Sequence, residues 1–135
     1  MGAPIISKEG RRYIVLFGAT GQPLNSQTTL VSAIIPFCYR IVKVKLYFLE
    51  YTTPEQRYYV LVGESNAGSV VGLPEGVNVF GEYSQVTYLR SSQGVRILEP
   101  LRVVDRVNTY LKVHIHNLSL TLASDTAAEI TIERV

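Results

Sequence analysis

The run Val107–Val135, VNTYLKVHIHNLSLTLASDTAAEITIERV, limits the fold more than any other stretch of the chain. Leu111, Val113 and Ile115 alternate with Tyr110, Lys112, His114 and His116, and Ile130 and Ile132 alternate with Glu129, Thr131 and Glu133. Residues two apart share a face in an extended strand, so each run predicts a strand with one buried and one wet face. Between them Ala123–Thr126 is polar and suited to a turn, which predicts a closing hairpin. The apolar positions are odd-numbered through Ile115 but even-numbered at Leu118, Leu120 and Leu122. That change of face requires either a one-residue bulge at His116–Asn117 or the end of the strand at Asn117, with Leu118–Leu122 in a different sheet.

The rest of the chain has the same texture. Residues 1–10 predict a flexible N-terminal arm, interrupted by Pro4, Ser7 and Gly10. Arg12–Phe17 predicts a strand that ends in Gly18–Gly21 and a polar loop, Gln22–Gln27. Thr28–Ile35 predicts another, closed by Pro36. Tyr39–Tyr51 predicts a long strand with Val42, Val44, Leu46 and Phe48 on one side and Tyr39, Lys43, Lys45, Tyr47 and Tyr51 on the other. Thr52–Gln56, with Pro54 setting the bend, returns the chain as Arg57–Gly63 and completes a hairpin. Glu64–Tyr83 reads as loops with brief strands. Val86–Arg90 and Val95–Leu98 flank Ser91–Gly94 as a second hairpin, and Pro100 marks an edge, bulge or corner. Short strands with turn signals every ~8–12 residues argue for an antiparallel all-β sandwich, jelly-roll-like, occupying the chain as a single domain.

Composition excludes several classes. A chain of 135 residues can build a core without disulfide or metal staples. With 47% hydrophobic and 18% charged residues, against the usual ~25% charged, it is not a disordered sequence. A formal charge of +2 does not by itself imply nucleic acid or an anionic membrane, although a local patch can still matter. Cys38 is the only cysteine, so no internal disulfide forms, and its apolar neighbours predict an inert buried thiol. No run approaches the ~18 apolar residues of a membrane span. The N-terminus lacks the pattern of a secretory signal, and Ile6 stands where a myristoylation motif has Ser or Thr. Asn117-Leu118-Ser119 is a glycosylation sequon, meaningful only in a secreted eukaryotic setting.

Two motifs carry chemistry in other proteins. Ile14–Gln22, IVLFGATGQ, resembles the strand and turn of the extended short-chain dehydrogenases. The resemblance implies that Gly18 makes a tight turn and Gly21 lets the backbone approach a dinucleotide pyrophosphate. The third glycine falls at Leu24, and Pro23 with Asn25–Thr29 stands where a helix should begin, so no cofactor is expected. His114 and His116 share a strand face, as metal-binding imidazoles do in some β-barrels. The pattern is similar to that of the cupin family, but no carboxylate follows in Ser119–Leu122. The chain has no third histidine, and two histidines on a wet face are the plainer reading. No nucleophile elbow is present, and Glu99 and Asp105 sit at strand ends without partners. The chain is expected not to be an enzyme.

The strongest binding feature is the exposed face of the Tyr39–Gly63 hairpin. With the turn at Thr52–Gln56, Tyr51 faces Arg57, Leu49 faces Tyr59 and Tyr47 faces Leu61. Lys43, Lys45, Tyr47, Tyr51, Arg57 and Tyr59 then gather on one face. Tyrosines offer stacking surfaces and cations meet phosphates, the combination that binds single-stranded nucleic acid. The same rings stack on sugars. Cross-strand aromatics also simply stabilise a sheet, and Tyr and Arg are enriched where proteins meet, either a second copy of the chain or another protein.

The strand Tyr110–Asn117, the strand Ala127–Val135 and the Pro/Gly-rich middle together resemble the small β-sandwich and jelly-roll proteins of viruses, including viruses of hyperthermophilic archaea. The resemblance implies a non-enzymatic role in the virion or in virus–host contact, in the virion or host cytoplasm. It also implies self-association into homo-oligomers of closed symmetry.

Overall fold

The two alternating runs near the C-terminus do form strands, but they lie in different sheets. The computed structural model describes residues 3–22, 26–48, 56–63, 77–78, 86–88, 94–117 and 124–135. Within these, the strands are β1 (Ile5–Glu9), β2 (Arg12–Gln22), β3 (Ser26–Val31), β4 (Tyr39–Phe48), β5 (Gln56–Gly63), β6 (Val77–Asn78), β7 (Val86–Tyr88), β8 (Gly94–Leu98), β9 (Arg102–Val104), β10 (Tyr110–Asn117) and β11 (Ser124–Arg134). The first sheet has the order β1-β2-β11-β4-β8, with β9 also on β4, and the second has β3-β10-β5-β6, with β7 also on β5. Every pair of named strands is antiparallel.

This pairing corrects all three long hairpins expected from local pattern. β10 runs between β3 and β5, and β11 between β2 and β4, so Val107–Val135 is a crossover from one sheet to the other. β4 and β5 likewise belong to opposite sheets, and so do β7 and β8. A strand's periodicity reports which face it buries and says nothing of its partner, and the two inner faces of a sandwich need the same periodicity. The pairing of β10 stays in register from Tyr110 to Asn117, so there is no bulge at His116–Asn117, and the described strand ends at Asn117. Of the expected turns Thr52–Gln56 and Ser91–Gly94, Gln56 and Gly94 open strands β5 and β8, while 52–55 and 91–93, Leu118–Leu122 and most of Glu64–Tyr83 lie outside the described residues.

The sheets are held together by apolar inner faces. Val15 and Phe17 of β2, Ala128, Ile130 and Ile132 of β11, and Ile41, Val44 and Leu46 of β4 form one cluster with Leu111, Val113 and Ile115 of β10 and Val60 of β5. Removing each such aliphatic side chain from water contributes on the order of 1.5–3 kcal/mol. The central position of β10 and β11 explains why their alternation is the clearest in the chain.

One irregularity resets a face. Ile132 pairs with Ile41 but Thr131 pairs with Lys43, so Val42 is an extra residue in β4, a β-bulge. Tyr39 and Ile41 therefore point inward together with Val44 and Leu46, while Val42 is only half-buried. The expectation that Val42 faces the core and Tyr39 the solvent is thus reversed. Beside the bulge, the edge strand breaks between Leu98, which pairs with Val44, and Arg102, which pairs with Ile41. Pro100 falls in that break, where an edge strand tolerates its missing N–H, and Leu101 takes a left-handed φ of 51°.

The N-terminal segment carries a strand where a loose arm was expected. β1 pairs with β2 across the two-residue loop Gly10–Arg11, and Gly10 has a φ of +54°, which suits the first position of a tight hairpin loop. Ala3 pairs in parallel with Ser32 of the second sheet, while the Pro4 carbonyl accepts from Leu16 N of the first. β2 itself continues through Gly18–Gly21 to Gln22. The segment that resembles a dinucleotide turn is therefore extended strand paired with β11, with neither the turn nor the helix such a site requires.

Candidate functional site

The six residues expected to share a face are divided by the fold. Lys43, Lys45 and Tyr47 lie on β4 in the first sheet, Arg57 and Tyr59 lie on β5 in the second, and Tyr51 lies outside the described residues. No hairpin brings them together, so the expected Lys/Tyr/Arg surface is corrected to two separate surfaces.

On the first sheet, the outward residues form rows across the strands. Leu16, Glu129, Lys45 and Ile97 make one row, and Arg12, Glu133, Arg40 and Val103 another. Their charges are answered locally. Tyr47 Oη donates to Glu129 Oε2 at 3.3 Å, and Lys45 Nζ sits 5.5 Å from the centre of the Tyr47 ring. Glu133 lies between the guanidinium groups of Arg12, at 3.1 Å, and Arg40. Hydrogen bonds from Arg12 and then Arg40 hold its carboxyl below the usual carboxylate range.

On the second sheet, β10 is buried on both sides. Lys112 and His114, expected on a wet face, are fully buried, and His116 is half-buried. His114 sits opposite Thr29 of β3 and Tyr59 of β5. Its Nδ1 lies 2.8 Å from Thr29 Oγ1, its Nε2 lies 3.0 Å from Gln27 Oε1, and its ring centre is 5.8 Å from that of Tyr59. An amide oxygen only accepts, so Nε2 carries the proton and Nδ1 accepts from the threonine hydroxyl. Burial, and then the charge of His116, pushes the His114 pKa down to about 4.

This arrangement explains why the His-x-His pair makes a poor metal centre. Both ring nitrogens of His114 are committed to neutral partners, and among the described residues no group of three or more His, Cys, Asp or Glu converges. Cys38 is half-buried rather than buried, in the connection from β3 to β4; its carbonyl accepts from Val135 N at 3.1 Å. No helix among the described residues is long and apolar enough to cross a membrane.

Two features escaped sequence reasoning. One is the run of exposed apolar side chains along the β8–β9 edge and just beyond it: Ile97, Leu101, Val103 and Val107, each between 55 and 57% exposed. Isolated in sequence among Arg102, Asp105 and Arg106, they read as ordinary strand residues until the fold places them at an edge. The other is a pair of buried hydroxyls, Tyr39 Oη and Thr109 Oγ1, that among the described residues have only each other as hydrogen-bonding neighbours and complete no bond of good geometry. Nothing in the sequence marks them, because the contact spans β4 and the start of β10.

No protein-family model matches the chain, and no curated protein matches it. Among solved structures it is similar to the coat protein of Tobacco streak virus in a C2 crystal form, with a TM-score of 0.42 and 8% identity over 95% of this chain and 90% of that one. It is similar also to the dimer of that coat protein, with a TM-score of 0.43 and 10% identity over 95% of this chain and 88% of that one.

Proposed function

We propose that the chain is a non-enzymatic structural protein, a jelly-roll virion component that associates with copies of itself. The exposed apolar edge carries this reading. Ile97, Leu101, Val103 and Val107 stand on or just after strands that pair, among the described residues, only with β4. An edge strand offers unpaired backbone groups, and proteins that remain alone guard such edges with charge, a bulge or a covering segment. Here Pro100 and Arg102 interrupt the edge, but its side chains are largely aliphatic. Two copies related by a two-fold axis would cover both edges at once, which is the simplest closed arrangement. The outer face bearing Lys43, Lys45 and Tyr47 is the proposed second contact.

The strand order supports the jelly-roll part of the reading. With β1 set aside as an addition, β2-β11-β4-β8 faces β3-β10-β5-β6. The chain crosses between sheets at β2–β3, β3–β4, β4–β5, β7–β8, β9–β10 and β10–β11, the wrapping of two interleaved Greek keys. That architecture serves capsids, lectins and cupins alike, so the site must discriminate. The committed nitrogens of His114 disfavour the cupin use. The separation of Lys43, Lys45 and Tyr47 from Arg57 and Tyr59 disfavours a single stacking face for nucleic acid or sugar.

Light scattering behind a sizing column, at low and high salt, tests the reading. A dimer or larger closed oligomer at both salts is expected, and Ile97→Lys with Val103→Lys should dissociate it without unfolding. A wild-type protein that stays monomeric at tens of micromolar would refute self-association.

A further inference from the structure

A recess of about 290 Å³ opens where β9, at the edge of the first sheet, passes the end of β5 in the second. Val62, Gly63, Arg102, Asp105, Arg106 and Thr109 are among the residues that line it. Thr109 is held there by its backbone, which exchanges two hydrogen bonds with Ile35, at 2.8 and 3.2 Å. The preceding residue, Asn108, takes a left-handed φ of 58°, a conformation asparagine tolerates better than most residues. Thr109 is only 1% exposed, yet its hydroxyl has no hydrogen-bond partner. Tyr39 Oη, fully buried, has the Thr109 side chain as its hydrogen-bonding neighbour, although neither hydroxyl completes a bond of good geometry.

Two adjacent buried hydroxyls that can satisfy only each other leave one donor unused, which is rare in native proteins and calls for an explanation. The lining supplies one. Arg102 pairs across the sheet with Ile41, a core residue, so strand alternation turns its guanidinium toward the opening of the sandwich and away from the outer face. Arg106 adds a second cation and Asp105 one anion, which leaves the lining at +1, two positive charges less one negative. A planar guanidinium matches a carboxylate in geometry as well as charge. Val62 and the nearly buried Val104 supply an apolar wall.

We infer that this recess binds a small monocarboxylate. The carboxylate lies against Arg102, with the charge of Arg106 near it. Thr109 Oγ1 accepts from Tyr39 Oη and donates to the carboxylate, so the ligand oxygen takes the one donor that the hydroxyl pair leaves unused. The short aliphatic body rests on Val62 and Val104. This site lies beside the proposed β8–β9 contact but does not depend on it.

The test is a titration of the intact chain with butyrate, followed by amide and arginine side-chain NMR signals, with sodium chloride at equal ionic strength as the reference. Saturable shifts confined to Gly63, Arg102, Val104, Arg106 and Thr109 are expected. Arg102→Gln and Thr109→Val should each weaken binding at least tenfold, Thr109→Ser should retain it, and Arg12→Gln should leave it unchanged. Butyrate shifts that chloride reproduces, or that survive in Thr109→Val, would overturn the assignment. So would inorganic phosphate binding more tightly than butyrate, since the lining would then select a different anion. Repeating the titration on Ile97→Lys separates this site from self-association: binding that persists in the monomer supports the recess even if the oligomer reading fails.

Discussion

Acid should loosen the second sheet through one residue. His114 is fully buried on β10 between β3 and β5, and both its ring nitrogens are hydrogen-bonded in the neutral form. Its pKa falls from an unfolded 6.5 to about 4, through burial first and the charge of His116 second. A base whose folded pKa is depressed favours folding in its neutral form. The contribution is therefore intact above pH 6.5, shrinks as pH falls below that value, and is fully lost below about pH 4. Integrating the linkage between those limits gives a loss of about 2 kcal/mol by pH 5 and about 3 kcal/mol by pH 4. In a domain of this size 2 kcal/mol lowers Tm by roughly 5–8 °C. Carboxylates also begin to titrate near pH 5, so the informative quantity is the difference from a variant without the imidazole. His114→Gln suits this purpose, because its amide can accept from Thr29 and donate to Gln27 while carrying no titratable group. Urea denaturation of both proteins from pH 7.5 to 4.5 should show the wild type falling away from the variant by about 2 kcal/mol at pH 5. Parallel stability profiles would refute the reasoning, and would mean that His114 titrates near its ordinary value or that its surroundings rearrange to solvate the charge.

Other consequences follow from single residues. Ser32 is buried, accepts from Leu111 N at 3.0 Å and donates to the Ala33 carbonyl; Ser32→Ala strands the Leu111 amide and should cost about 1–3 kcal/mol in chemical denaturation. Val113→Ala, at the centre of the cluster joining the sheets, should lose about 2 kcal/mol or more, with unchanged circular dichroism showing that the fold survives. Gly10 and Leu101 make an opposed pair, since both have left-handed φ, of 54° and 51°. A Cβ on Gly10 would meet no atom within 4 Å, so Gly10→Ala should cost only the conformational penalty of about 1 kcal/mol, whereas Leu101→Gly should gain up to about that much. A loss of stability in Leu101→Gly would show that the exposed leucine is engaged in a contact.

What could be read from the sequence was the local alternation, and what could not was its partner. Leu111, Val113 and Ile115 announce a strand with a buried face, and that face is buried. The same rule assigned Lys112 and His114 to water and failed, because alternation reports polarity and a polar side chain can be buried when hydrogen-bonded. The signal that would have corrected it, Gln27 and Thr29 at matching parity, becomes meaningful only once β3 is known to pair with β10. Hairpins were assigned to neighbours in sequence because a short loop is the cheapest way to pair two strands. Of the strand pairs among the described residues, β1–β2 is the one that joins across a two-residue loop. It lies in the segment whose local pattern predicts an arm, since its cue is one glycine and its apolar positions, Ile5 and Ile6, are adjacent rather than alternating.

The Val42 bulge shows the same limit at finer scale, and it bears on function. An uninterrupted period of two would place Tyr39 outside with Lys43 and Tyr47, on a surface that reads as a ligand face. One unpaired residue in β4 turns Tyr39 inward. Its hydroxyl then lies next to Thr109, which lines the recess, while Lys43, Lys45 and Tyr47 remain outside. The bulge thus removes a tyrosine from the exposed face and contributes it to the buried pair. The aromatic content that suggests a stacking platform is thus in part core, which an uninterrupted two-residue period could not foretell. Deleting Val42 would therefore leave Ile41 opposite Ile132 and Lys43 opposite Thr131 as neighbours in a regular strand, so Tyr39 should stay inward, whereas a β4 that kept Val42 and paired it would turn Tyr39 to solvent.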